Sequence, residues 1–146
     1  MTSWRDTASQ QAQDDLDGLL GPALGFAQQQ LDEHGELFPY AVVVDASGGQ
    51  RMVAVDTGID QPGPSGLIGT LIAALAEERD QLRGAAIVAD VRVRELGSDA
   101  IRVNLEHSEN VALTILLPYR PRRFGRGIAY GDLQAGPAAA FLWPAD

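Results

Sequence analysis

Between residues 86 and 117 the chain alternates residue by residue, and this pattern limits its fold more than any other feature. Ile87, Ala89, Val91 and Val93 are interleaved with Val88, Asp90, Arg92 and Arg94. Ile101, Val103, Leu105 and His107 are interleaved with Ala100, Arg102, Asn104 and Glu106. Successive side chains of a strand point to opposite faces, so period two with one polar face signals half-buried antiparallel strands. The run 111–117, VALTILL, is apolar on nearly both faces and reads as a more central strand that Pro118 stops. Pairing Leu105 with Leu113 and Val103 with Ile115 keeps the apolar faces together, whereas a one-residue slip would turn one of them to water. That register leaves Ser108-Glu109-Asn110 as a three-residue loop with Asn110 left-handed. On the preceding pair, facing arginines would repel, so Asp90 is expected opposite Arg102 and Arg92 opposite Ala100.

The flanking sequence supplies helices and a second hairpin. Residues 3–34 carry apolar side chains at three- and four-residue steps, interrupted at Gly21-Pro22, where a broken helix is expected. His34-Gly35 closes it. Tyr40–Val44 and Arg51–Val55 flank the turn-forming DASGG at 45–49, a hairpin pattern. After the Gly/Pro loop 57–66, Ser65 is the expected N-cap of a second helix, whose face carries Ile68, Leu71, Ile72, Leu75 and Leu82 and which Gly84 ends. Short strands are expected at 126–130 and near 139–143. The chain thus reads as one α+β domain over 1–146, in the order α-β-β-α-β-β-β. Helices pack on an antiparallel sheet of about five strands. A core spans 1–118, and an Arg/Gly/Pro-rich extension spans 119–146. The most apolar strands, 41–44 and 111–117, should lie side by side in the middle.

This order resembles the profilin-like and roadblock-like folds, in which the first and last strands are central. AVVVDASG at 41–48 is similar to the hydrophobic strand and Asp/Gly turn of roadblock domains. The wider pattern FPYAVVVD, AIRVNLEH and LPYR resembles a group of small acidic bacterial proteins with no assigned activity, a resemblance that implies no catalytic residues.

Composition excludes several chemistries. There is no cysteine, and all eleven basic residues are arginine. Thiolate metal sites, Cys nucleophiles, lysine Schiff bases and a phosphate-loop lysine are therefore ruled out. His107 ends a strand beside Glu106, but Glu106 points to the other face, so the expected role is a strand-end histidine meeting its turn. No cofactor or metal site is expected. Ser65 in Gly63-Pro64-Ser65-Gly66 lacks the second glycine of a nucleophile elbow. The loop 57–66 and the carboxylates Asp45, Asp56 and Asp60 carry no motif beyond turn and surface chemistry.

Charge is distributed unevenly. The net charge is −9, which argues against a nucleic-acid partner. Residues 1–118 hold 7 Arg and 18 acids, a net −11, whereas 119–126 hold Arg120, Arg122, Arg123 and Arg126 and no acid. These four arginines are the candidate partner-binding residues. The longest membrane-like run, 67–76, is ten residues, so neither a membrane span nor a signal peptide is expected and a cytoplasmic location follows.

The function expected is a non-catalytic interaction or regulatory module, acting as a homodimer with an acidic or basic protein partner. A second reading is a small enzyme or ligand-binding protein using a cleft between sheet and helix near Arg92, Arg102 and His107. A third is an immunity- or antitoxin-like protein whose acidity suits a basic toxin. The strand at 50–56 is an edge hazard if left bare. The segment 139–143, with the large apolar Phe141, Leu142 and Trp143, offers a cover for that edge and should dock as an extended segment on its own subunit or a twin, with 120–127 as an exposed connector.

Overall fold

The computed structural model describes residues 4–55, 64–121 and 127–144. A short helix α1 (Trp4–Thr7) precedes the long α2 (Gln10–His34), the hairpin β1 (Tyr40–Asp45) and β2 (Gln50–Val53), and α3 (Pro64–Glu78). A meander follows, of β3 (Leu82–Val93), β4 (Ser98–His107) and β5 (Val111–Pro121), and then β6 (Ile128–Tyr130) and β7 (Gln134–Pro137). The fold is α+β with one antiparallel sheet, as expected, but with seven strands rather than about five. No helix among the described residues is long and apolar enough to cross a membrane.

The strand order is β2-β1-β3-β4-β5-β6, with β7 also paired to β5. The expected adjacency of 41–44 and 111–117 is not formed, and neither is the profilin- or roadblock-like order with first and last strands central. The central strand is β3, buried on both faces from Gly84 to Ala89. Strand β5 does not qualify, because its second face, with Ala112, Thr114 and Leu116, is only half-buried.

Helix α2 begins at Ser9, whose hydroxyl accepts the Ala12 N–H at 3.1 Å. It closes at Gly35, left-handed at φ 72°, with its N–H on the Leu31 carbonyl. The break falls at Ala8-Ser9 and not at Gly21-Pro22, through which the helix runs on. Pro22 sits on the exposed side, and the carbonyl that its missing N–H leaves idle, that of Gly18, accepts the Gln50 side-chain amide at 3.0 Å. Leu16, Leu19, Ala23, Ala27 and Leu31 pack on one face of the sheet against Val42, Val88, Val103 and Ile115. The approach is close at Gly84, where a Cβ would stand 3.3 Å from the Glu106 carbonyl oxygen and 3.4 Å from Leu19 Cδ1.

Helix α3 covers the opposite face over β1 and β3, with Leu71 and Leu75 against Ala41, Val43, Ala85 and Ile87. It starts at Pro64, a favoured first helical residue, so Ser65 lies inside the helix and is not its cap. It ends at Glu78, and Leu82 and Gly84 belong to β3.

The β4–β5 hairpin has the expected register, Leu105 with Leu113 and Val103 with Ile115, and Asn110 turns at φ 67°. The β3–β4 register is one residue from expectation. Asp90 faces Ile101, Arg102 faces Ala89, and Arg92 faces Asp99, with 3.5 Å between guanidinium and carboxylate. Repulsion between arginines is avoided by giving Arg92 an acid. Strand β5 continues through Pro118. The Gly131 N–H reaches the Pro118 carbonyl at 2.8 Å, and proline has no N–H to return, so the outer ladder lapses between β6 and β7. The segment expected as an extension from 119 therefore adds two strands to the sheet, and the strand expected at 139–143 is absent, replaced by β7 and a bend.

Candidate functional site

Glu106 and His107 are neighbours on β4, and the pleat sends them to opposite faces. His107, 1% exposed, lies under α2 with Nε2 2.9 Å from the Asp15 carboxylate, while Nδ1 accepts the Glu109 backbone N–H at 3.2 Å. A nitrogen that accepts carries no proton, so Nε2 holds the ring proton and donates it to Asp15. The other Asp15 oxygen receives Arg83 Nη2 at 2.8 Å. The Glu109 contact is the meeting with the turn that the strand-end reading expects, whereas the tie to α2 through Asp15 is not part of that expectation. With both ring nitrogens engaged, His107 offers no free nitrogen to a metal or a substrate.

Glu106 is fully buried, and its carboxylate gathers three successive backbone donors. Phe141 and Leu142 N–H reach Oε1 at 2.9 and 2.7 Å, and Trp143 N–H reaches Oε2 at 2.7 Å. Arg79 holds the Leu142 carbonyl at 3.2 Å, and the Leu142 side chain is buried among Leu71, Leu75 and Ile87. The segment thus docks on its own chain, but bent around a carboxylate rather than extended, and on the α3 face rather than over the β2 edge. Sequence reasoning missed Glu106. The available signal was an acid in a strand of this meander together with a later Phe-Leu-Trp cluster that needed a seat.

The residues expected to line one cleft are dispersed. Arg92 and His107 lie on the same face at opposite ends of the β3–β4 ladder, and Arg102 lies on the other face. Arg5, Arg51, Arg83 and Arg92 reach carboxylates, and Arg79 reaches a carbonyl. Arg94 and Arg120 are exposed. Arg102 alone is half-buried with no acceptor among the described residues, its Nε sealed from solvent. Arg122, Arg123 and Arg126 lie outside the described residues, as do Asp56 and Asp60. Asp45 closes its turn by accepting the Ser47 hydroxyl and the Gly49 and Ser47 N–H groups, which holds its carboxyl below the usual range. No three His, Asp or Glu side chains among the described residues could hold a metal.

A cleft of about 230 Å³ opens at the end of the β1–β2 hairpin, reached by Phe26 and Gln30 from α2 and by Leu67 from α3. Phe26, Phe38, Tyr40, Met52, Val55 and Leu67 line it, Gln30 adds an amide, and none of its described lining residues is charged. Tyr40 forms its floor. Its hydroxyl donates to the Ala23 carbonyl, its ring meets Phe26 edge-on at 4.9 Å and 83°, and burial pushes its phenol well above the usual range. Phe38 is 56% and Met52 46% exposed. The outer edge of β2, which carries Met52, has no partner strand among the described residues. Compared with protein-family models, curated proteins and solved structures, the chain has no match.

Proposed function

We propose that this protein is a non-catalytic interaction module of the cytoplasm that works as a homodimer, two copies joining at β2 and the cleft beside it. The observation that carries the reading is the cleft, uncharged in its described lining, with Phe38 and Met52 exposed, set against an edge of β2 that has no partner strand among the described residues. Exposed apolar surface next to an unpaired strand is where a second chain gains both burial and main-chain hydrogen bonds. A second copy suits it on charge. Two chains of net charge −9 repel, yet residues 46–55 hold Arg51 as their single charge and no acid. Antiparallel pairing of β2 with its twin is also self-complementary, as a two-fold interface requires. The enclosed polar clusters support a binding role over a catalytic one, since the hydrogen-bonding positions of His107 and Glu106 are filled from within the chain.

Sedimentation of the full chain over a concentration series tests this. The expected result is a dimer that Met52→Glu and Phe38→Glu each convert to a folded monomer, whereas the distant Arg94→Gln does not. A wild-type monomer at all concentrations, or a dimer indifferent to both substitutions, overturns the reading.

A further inference from the structure

Across the sheet from that cleft, the face of β4, β5 and β7 not covered by α2 is rich in donors and poor in acids. Arg102 faces Leu116, which in turn faces Gln134 on β7. Two residues along β4, Asn104 faces Thr114 and accepts its hydroxyl at 3.1 Å through Oδ1, leaving the Asn104 amide N–H groups to donate elsewhere. The next carboxylate on this face of β4, Glu106, is consumed by its three backbone donors. A depression of about 320 Å³ lies over Thr114, Leu116, Gln134 and Gly136, adjoining Arg102 and Asn104 through their cross-strand neighbours Leu116 and Thr114 rather than being lined by them.

Arg102 is out of keeping with its surroundings. A buried donor without an acceptor needs an explanation. Its Nε is sealed, as is that of Arg83, and is out of a ligand's reach, but its two Nη groups are not sealed and have no acceptor among the described residues. The guanidinium fork matches a carboxylate or phosphate in two parallel hydrogen bonds. Adjacent strands stand about 4.8 Å apart, so Gln134, two strands from Arg102, is about 10 Å away along the sheet, within joint reach of two long side chains.

We propose that this face binds a small oxyanion, a carboxylate or a phosphate group, gripped by Arg102 with the amides of Asn104 and Gln134 beside it. The site is independent of the dimer reading, being on the opposite side of the molecule from β2.

The test is a titration of the full chain with sodium phosphate and, separately, sodium acetate, at constant ionic strength. The Arg Nε–H and Asn side-chain amide signals are followed by NMR. The expected result is a saturating shift at Arg102 and Asn104, with the Asn104 response weakened at least tenfold in Arg102→Gln and less in Arg102→Lys, which keeps the charge but loses the fork. Tighter phosphate marks a phosphate ester as the source, and tighter acetate marks a carboxylate. Linear shifts of equal size at Arg94, or an Asn104 response unchanged in both variants, overturn the proposal. The wild-type saturation and the Lys variant suffice if Arg102→Gln does not fold.

Discussion

The side-chain amide of Gln50 donates to the backbone carbonyl of Gly18 at 3.0 Å, joining the β2 edge to the middle of α2. That carbonyl is the one Pro22 cannot serve, so a residue from a distant strand completes a helical turn. Replacing Pro22 with Ala restores the internal donor and should stabilise the fold by about 1–3 kcal/mol in urea unfolding. Gln50→Ala should cost up to about 1 kcal/mol in the natural sequence and close to nothing beside Pro22→Ala. Strict additivity of the two would show that the amide does not stand in for the missing N–H.

Glu106 and Leu142 anchor the segment 141–143 from its two sides, one by hydrogen bonds and one by burial. Leu142→Ala should cost about 2–5 kcal/mol by the cavity it opens. Glu106→Gln keeps the shape but turns an amide toward backbone donors, costing about 1–3 kcal/mol. In both variants hydrogen exchange at the amides of 141–143 should speed up well before that of β3. Unchanged protection there would argue against a clamp.

Asp90 gives the stability a pH dependence of known sign. Burial raises its carboxyl above the ordinary value, outweighing the hydrogen bond from Tyr119 at 2.7 Å, and Asp99 adds to the rise. An acid raised by folding stabilises when protonated, below its unfolded value of about 4, and loses that contribution as pH climbs. Asp90→Asn can still accept from Tyr119. It should therefore match the natural protein in melting temperature near pH 3 and exceed it at pH 7. A gap that narrows toward neutrality would reverse the assignment.

Asn110, at φ 67°, holds the β4–β5 turn in the left-handed region. Asn110→Gly should change stability by no more than a few tenths of a kcal/mol, and Asn110→Val should cost about 1–2 kcal/mol. Equal melting temperatures for the two variants would mean that the turn relaxes out of this conformation.

What could be read from the sequence follows how local the governing physics is. The β4–β5 register depends on two alternating runs and one Asn, all within twenty residues, and so it was legible. The continuous α2 was not, because what carries it through Pro22 is tertiary: the packing of Leu19, Ala23 and Ala27 on the sheet, with Gln50 from a distant strand serving the idle Gly18 carbonyl. Leu82 and Gly84 fit a helical face as well as a strand buried on both sides, and periodicity alone does not separate the two. Pro118 read as a stop because its ladder partner, Gly131, lies beyond the Arg-rich segment. At the candidate sites, the alternation placed Arg102 on a polar face but not its lack of an acceptor. The apolar cleft escaped notice because it draws Phe26, Phe38 and Met52 from three separate stretches.

The clamp on Glu106 also imposes an order on biosynthesis. Residues 141–143 leave the ribosome after every residue they pack against. Until they emerge, the Glu106 carboxylate lacks its donors, and an unpaired carboxylate resists dehydration. The Glu106 end of the α3 face is finished only when those donors arrive, whereas the cluster under α2 contains none of these residues. A chain cut short before Phe141 would keep the α2 face packed but leave Glu106 without its donors. The seat of Leu142 beside Leu71 and Leu75 would stand open to water, a half-finished state that protein quality control can recognise.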